Sequence, residues 1–279
     1  MKENFVEEPL SFWCSNYGLH EADVVFLGVP LDITGTFRTG TKEGPNRIRS
    51  ASYNLETFSP AAKKDLKSLK MTDYGNVIMQ PGNLDESLRR IRETVREISD
   101  RFLVAVGGEH TITLPVIQSL VKRHPDLKVL HFDAHFDLRD DYMGSKTCHA
   151  TVMRRISEIL GEKKIIHAGC RDFTEDEKEF AKKSSITKSM ENLASLEVEG
   201  PVYISMDMDV FDPAYAPGVS TPVSGGIRPE GFFSLLDALK NKMEVVGFDV
   251  VETCPPYDHS DITSHLAAKV IREMILAFR

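Results

Sequence analysis

Histidines and carboxylates gather in four short stretches: Val-Gly-Gly-Glu-His at 106–110, His-Phe-Asp-Ala-His-Phe-Asp at 131–137, Ser-Met-Asp-Met-Asp at 205–209 and Phe-Asp-Val-Val-Glu at 248–252. In extended backbone, residues two apart project to one side, so Asp133, His135 and Asp137 form one group, and Asp207 and Asp209 another. Carboxylates packed together away from water repel strongly, and bound cations are the usual remedy. With His110 the set offers four carboxylates and two imidazoles, which can balance two divalent ions if some carboxylates are shared. Oxygen and nitrogen donors without thiolate suit Mn²⁺ better than structural zinc, although by affinity order Co²⁺, Ni²⁺ or Zn²⁺ can compete in vitro. Two such ions side by side would bring the pKa of a shared water towards neutrality. A lone D-x-D or D-x-H carries little weight, because strand-end acids also cap helices and pair with arginine. The metal reading rests on the combination with His110. His131, His124 and His167 read as structural histidines, and His259 and His265 are left open.

Each stretch follows a short apolar run rich in β-branched residues. Strands are expected at 24–29, 102–106, 128–132, 164–168, 202–206 and 245–250, alternating with segments of helical period. That alternation indicates an α/β fold of three layers, α/β/α, around a central, mostly parallel sheet. The clearest helix puts Leu84, Leu88, Ile91, Val95 and Ile98 on one stripe, its start marked by Asn83 with Glu86 three residues on. A second, at the C-terminus, carries Ile262, Leu266, Val270, Ile271, Met274 and Phe278. Ligands of open parallel sheets bind beyond the carboxyl ends of the strands, so the four stretches should meet in one crevice. No Pro/Ser/Gly tract, charge block or internal repeat divides the chain, and one domain spanning 1–279 is expected.

With 41% hydrophobic and 27% charged residues among 279, the chain can bury a full core, which excludes a disordered or fibrous protein. The formal charge of −8 repels nucleic-acid phosphates and anionic lipid and mildly favours small cationic substrates, so neither a nucleic-acid nor a membrane partner is expected. No apolar run reaches the ~18 residues of a membrane span, and the acidic opening is unlike a signal peptide; a cytoplasmic location is the expectation. Cys14, Cys148, Cys170 and Cys254 form no C-x-x-C pair and read as reduced thiols.

The segments GGEH (107–110), DAHFD (133–137), SMDMDVFDPAYAPGVSTPVSGGI (205–227) and DVVETCPPYD (249–258) resemble the ureohydrolase family of arginases and agmatinases, from about residue 23 to the C-terminus. Pro217-Gly218 and the Pro-Pro-Tyr-Asp at 255–258 are more similar to agmatinases than to arginases, and the run from Arg38 to Pro45 fits the family's early loop. The resemblance implies an arginase-like fold, two Mn²⁺ per chain and a homo-oligomer, trimer or hexamer. It implies one ion held by His110, Asp133, Asp137 and Asp207 and the other by Asp133, His135, Asp207 and Asp209, with Asp133 and Asp207 bridging. Asp137, His149 and Glu252 are the implied catalytic residues: Glu252 pairs with a small cationic guanidino substrate and His149 shuttles protons. Glu109 and Ala150 stand where the family usually has Asp and Gly.

The implied reaction is cleavage of agmatine to putrescine and urea, with arginine or guanidinobutyrate as the alternative substrate on the same fold. A deacetylase-like amidohydrolase would need one zinc and fewer ligands, and a non-catalytic metal or polyamine sensor would have lost ligands or Glu252; the complete set argues against both. The loop from Leu138 to Cys148 contains no Asn. Its Asp140 and Asp141 would repel a substrate carboxylate if they face the pocket, whereas Arg139 or Lys146 could accept one.

Overall fold

Strand after strand is apolar on both faces, and the structure shows why: helices cover the sheet on each side. The computed structural model describes residues 5–7, 10–182, 187–188 and 190–279. Among these the strands are β1 (Val6–Glu7), β2 (Val24–Val29), β3 (Phe58–Ser59), β4 (Lys64–Asp65), β5 (Met71–Val77), β6 (Phe102–Gly107), β7 (Lys128–Phe132), β8 (Ile165–Ala168), β9 (Thr187–Lys188), β10 (Val198–Asp207) and β11 (Met243–Val251). The α-helices are α1 (Gly44–Ser52), α2 (Leu84–Ile98), α3 (Thr113–Leu120), α4 (Val152–Leu160), α5 (Glu175–Ala181), α6 (Met190–Ala194), α7 (Pro229–Leu239) and α8 (Ile262–Phe278). Val24 and Phe26 of β2 and Val104 of β6 join one core with α1, α7 and α8. Their neighbours Val25, Leu27 and Leu103 join a second core with α2, α3 and α4. Period-two alternation thus sorts each strand between two buried layers.

The main sheet runs in the order β1-β5-β2-β6-β11-β10-β7-β8-β9, with β3 and β4 forming a separate hairpin. Only β1 is antiparallel to its neighbour in this sheet. The chain leaves β6 for β7 and returns later to insert β10 and β11 between them, which opens a crevice at the carboxyl ends of four adjacent strands. All six expected strands are present, those at 24–29 and 128–132 with the expected bounds and β10 and β11 longer than expected. The sequence reading missed β1, β5, β9 and the hairpin. In β5 the reason is chemical: Asp73 and Asn76 interrupt the apolar run because both bind the buried Arg49. Arg49 Nε lies 2.7 Å from Asp73 Oδ2 and Nη1 2.6 Å from Asn76 Oδ1.

Both predicted helices form. Asn83 Oδ1 accepts the Glu86 N–H at 3.0 Å at the start of α2, a cap of about 1 kcal/mol. The Glu86 side chain turns instead to Arg89 and Arg90. No helix among the described residues is long and apolar enough to cross a membrane. All four cysteines are free.

Candidate active site

Four adjacent strands deliver the site. His110 opens a 3-10 turn after β6, Asp133 follows β7 directly, Asp207 ends β10 with Asp209 in the next turn, and Glu252 follows β11. The Gly107-Gly108 pair is steric: a Cβ on Gly108 would sit 1.9 Å from the Leu31 carbonyl oxygen. Asp137 (φ 54°) and Glu252 (φ 66°) both occupy the left-handed region, which costs a non-glycine residue about 1 kcal/mol or more. Such strain persists where the surroundings fix the backbone. Glu252 N–H donates to the Gly108 carbonyl at 2.9 Å, and the Asp137 carbonyl accepts from Arg154 N at 3.1 Å.

The six expected ligands come together. His110 Nδ1 lies 3.1 Å from Asp133 Oδ2, 3.1 Å from Asp137 Oδ2 and 3.4 Å from Asp207 Oδ2. His135 Nδ1 lies 3.0 Å from Asp209 Oδ2 and 3.3 Å from Asp133 Oδ1. Asp133 therefore turns one oxygen to each imidazole, the disposition a bridging ligand needs. Asp207 Oδ1 accepts the Asp209 N–H at 2.8 Å, which ties the β10 pair together.

His110 Nε2 contacts Ser205 Oγ at 2.9 Å, and that hydroxyl donates its proton to Asp249 Oδ1 at 2.8 Å. Ser205 can then only accept from the imidazole, so Nε2 carries a proton, and in the neutral ring that a cation would require, Nδ1 is the nitrogen left to offer a lone pair on the carboxylate side. Nδ1 is buried and makes no hydrogen bond. An orphaned nitrogen ringed by carboxylate oxygens is a donor set that fits a divalent cation, and the neighbouring His135 set fits a second. Sequence reasoning missed the Ser205–Asp249 pair, whose trace was a single polar residue inside each of two apolar runs and which only the register of β10 with β11 brings together. It also placed His131 with the structural histidines. His131 Nε2 lies 2.8 Å from Asp133 Oδ2, and its Nδ1 2.9 Å from His167 Nδ1, so the pair braces the Asp133 carboxylate.

The electrostatics point the same way. Burial raises the pKa of Asp207 well above the carboxylate range, reinforced by Asp209 and Asp133, and burial also raises Asp209. Burial disfavours a charged His135, yet Asp209 and Asp133 outweigh it and raise its pKa to about 12; His110 rises similarly against burial through Asp133, Asp137 and Asp207. Asp133 falls well below the usual range: burial opposes ionisation, but His131, His110 and His135 together prevail. Protons are thus favoured on His110 and His135 and on the raised acids Asp207 and Asp209, a role that bound cations would assume.

Glu252, His149 and Asp137 line one cavity of about 230 Å³ with His110, His135 and Asp207. Glu252 is buried; its Oε1 accepts the His110 N–H at 2.6 Å and its Oε2 a hydrogen bond from Ser220. Burial pushes its pKa up to about 8, against the lowering effect of those two donors. Asp140 and Asp141 do not face the cavity as a carboxylate-repelling pair: Asp140 binds Arg155 at 2.6 Å, and Asp141 accepts the Gly144 N–H to close a turn. The acids on the outer wall are Asp172 and Glu177, accompanied by Arg139, whereas Lys146, His259 and His265 are not on it.

Comparisons with known proteins agree with this geometry. The Arginase family profile matches residues 22–277. The chain is 38% identical over 268 residues to the agmatinase of Bacillus subtilis, covering 92% of each. It is 34% identical to the guanidinobutyrase of Pseudomonas aeruginosa, covering 92% of this chain and 86% of that one. The crystal structure of agmatine ureohydrolase of Thermoplasma volcanium superposes with a TM-score of 0.88 at 33% identity, covering 98% of this chain and 95% of the other. Sequence, fold and the clustered histidines and aspartates therefore agree that the chain belongs to the arginase family, hydrolases of guanidino C–N bonds.

Proposed function

We propose that the chain hydrolyses agmatine to putrescine and urea, with two Mn²⁺ held by His110, Asp133, Asp137, Asp207, His135 and Asp209. The observation that carries this reading is Glu252: a buried carboxylate, paired with no Lys or Arg among the described residues, on the wall of the cavity that the ligand cluster also lines. A guanidinium seated there gains a charge-assisted partner and presents its carbon to the cluster. When bound, the two ions supply charge stabilisation and water acidic enough to attack at neutral pH. Asp137, on the same wall, takes the proton that the attacking water releases. His149 delivers a proton to the departing amine nitrogen as the C–N bond breaks, so water ends divided between urea and the amine.

The distal end of the substrate meets the outer wall. Asp172 is exposed there, with no Lys or Arg paired to it among the described residues, and suits the primary ammonium of agmatine. Arg139 stands 3.7 Å from Glu177 and 4.7 Å over the Tyr142 ring, so part of its charge is already matched. It is nonetheless the residue that favours a second reading, a guanidino acid such as guanidinobutyrate, which the Pseudomonas relative's name also supports. Urea release by the Mn²⁺-loaded protein over a panel of guanidino compounds tests both. The expected kcat/KM for agmatine exceeds that for arginine by about 10²-fold or more, the size of discrimination when a buried charge lacks its partner. A preference for guanidinobutyrate would replace the substrate and keep the chemistry, whereas no urea from any guanidino compound would overturn the reading.

A further inference from the structure

Glu109 and Thr34 take no part in the reaction described above, yet both are tied to His149. Glu109 is buried, and its carboxylate accepts three hydrogen bonds from the loop after β2, whose Thr36 lines the cavity: Oε2 from the backbone N–H of Ile33 and of Thr34, both at 2.7 Å, and Oε1 from the Thr34 hydroxyl at 2.7 Å. The same hydroxyl oxygen accepts the His149 backbone N–H at 3.2 Å and lies 3.3 Å from His149 Nδ1, with Thr111 Oγ1 at 3.2 Å as its remaining neighbour.

A threonine hydroxyl has one proton. Its shortest contact, to a carboxylate oxygen that can only accept, takes that proton, so towards His149 the oxygen offers lone pairs alone. A lone pair on Nδ1 would then face a lone pair on oxygen. A proton on Nδ1 turns the contact into a hydrogen bond. We infer that Glu109 and Thr34 are positioning residues that hold His149 in the tautomer protonated on Nδ1, leaving Nε2 as the nitrogen that exchanges protons in the cavity. The inference rests on the proposed shuttle role of His149 and adds which nitrogen does the work and what selects it. Gly108 and Glu109 also follow β6 directly, so the residue before a proposed metal ligand orients the proposed proton carrier from across the crevice.

Thr34→Val removes the hydroxyl at nearly constant volume. The expected result is kcat lowered about 10-fold, with KM within twofold of the parent and metal content unchanged; Thr34→Ser restores kcat. Glu109→Gln provides a second route: its amide donates to Thr34, freeing the hydroxyl proton to point at Nδ1, and kcat should fall with the loop still held. If the effect passes through His149, Thr34→Val causes no further loss in a His149→Ala background. ¹⁵N-histidine spectra of the protein loaded with diamagnetic Zn²⁺ should show His149 protonated at Nδ1 in the parent and mixed or reversed in Thr34→Val and Glu109→Gln. An unchanged tautomer, or equal losses from Thr34→Val with and without His149, would overturn the inference. Unaltered kcat in His149→Ala alone would instead overturn the shuttle role.

Discussion

Asp207→Asn is expected to lower kcat for urea release by about 10³-fold or more and to leave fewer than two tightly bound ions per chain, because it removes a negative charge that both proposed ions share. Asp133→Asn should match it in activity. Metal analysis of the reconstituted proteins alongside kinetics checks both, and a parent saturating at one ion would overturn the dinuclear arrangement. The two variants should part in stability without metal. Burial, with Asp209 and Asp133, already disfavours the ionised form of Asp207, so a neutral amide there leaves the metal-free melting point unchanged or higher. Asp133 has its pKa depressed by the surrounding histidines. A depressed carboxylate contributes stability above its unfolded pKa and loses it as pH falls through the folded value, so at neutral pH Asp133→Asn lowers the metal-free melting point. Equal activity losses with a lowered melting point in Asp133→Asn alone separate metal loss from unfolding.

His149→Ala should lower kcat by about 10²-fold or more with both ions retained, the usual size of a general acid–base contribution. Its ring lines the cavity beside Asp137 and Glu252, where a departing amine has access to it. Near-normal kcat with a raised KM would make His149 a substrate-holding residue.

What the sequence could reveal depended on how each residue relates to its neighbours in the chain. Asp133, His135 and Asp137 announce themselves by residue type and spacing, although β7 ends at Phe132, and bends with a left-handed Asp137, rather than the extended backbone expected, bring them together; strands such as β2 and β7 announce themselves because continuous apolar β-branched runs bury on both faces. Partners brought together by pairing across the sheet left weaker traces. His131 looked like core filling because its role depends on Asp133 two residues on and on His167 in the adjacent strand β8. Asp249 and Ser205 are 44 residues apart and meet only through the register of β10 with β11. Thr34 and Glu109 are 75 apart. β5 was hidden by Asp73 and Asn76, polar residues whose reason, Arg49, lies on another element. The orientation of Asp140 and Asp141 was likewise a matter of rotamers and local turns.

The strand order has a consequence for how the protein comes apart. Sheets open most readily from their margins, and here the margins are the two-residue strands β1 and β9, while the proposed ligands and Glu252 hang from β6, β7, β10 and β11 in the interior. Fraying at either margin leaves the ligand cluster intact, and its dispersal requires the interior strands to separate, which is the global transition. Ions that bind only the intact cluster therefore act on the last unit to open: they slow amide exchange across the middle of the sheet and leave the margins breathing as before.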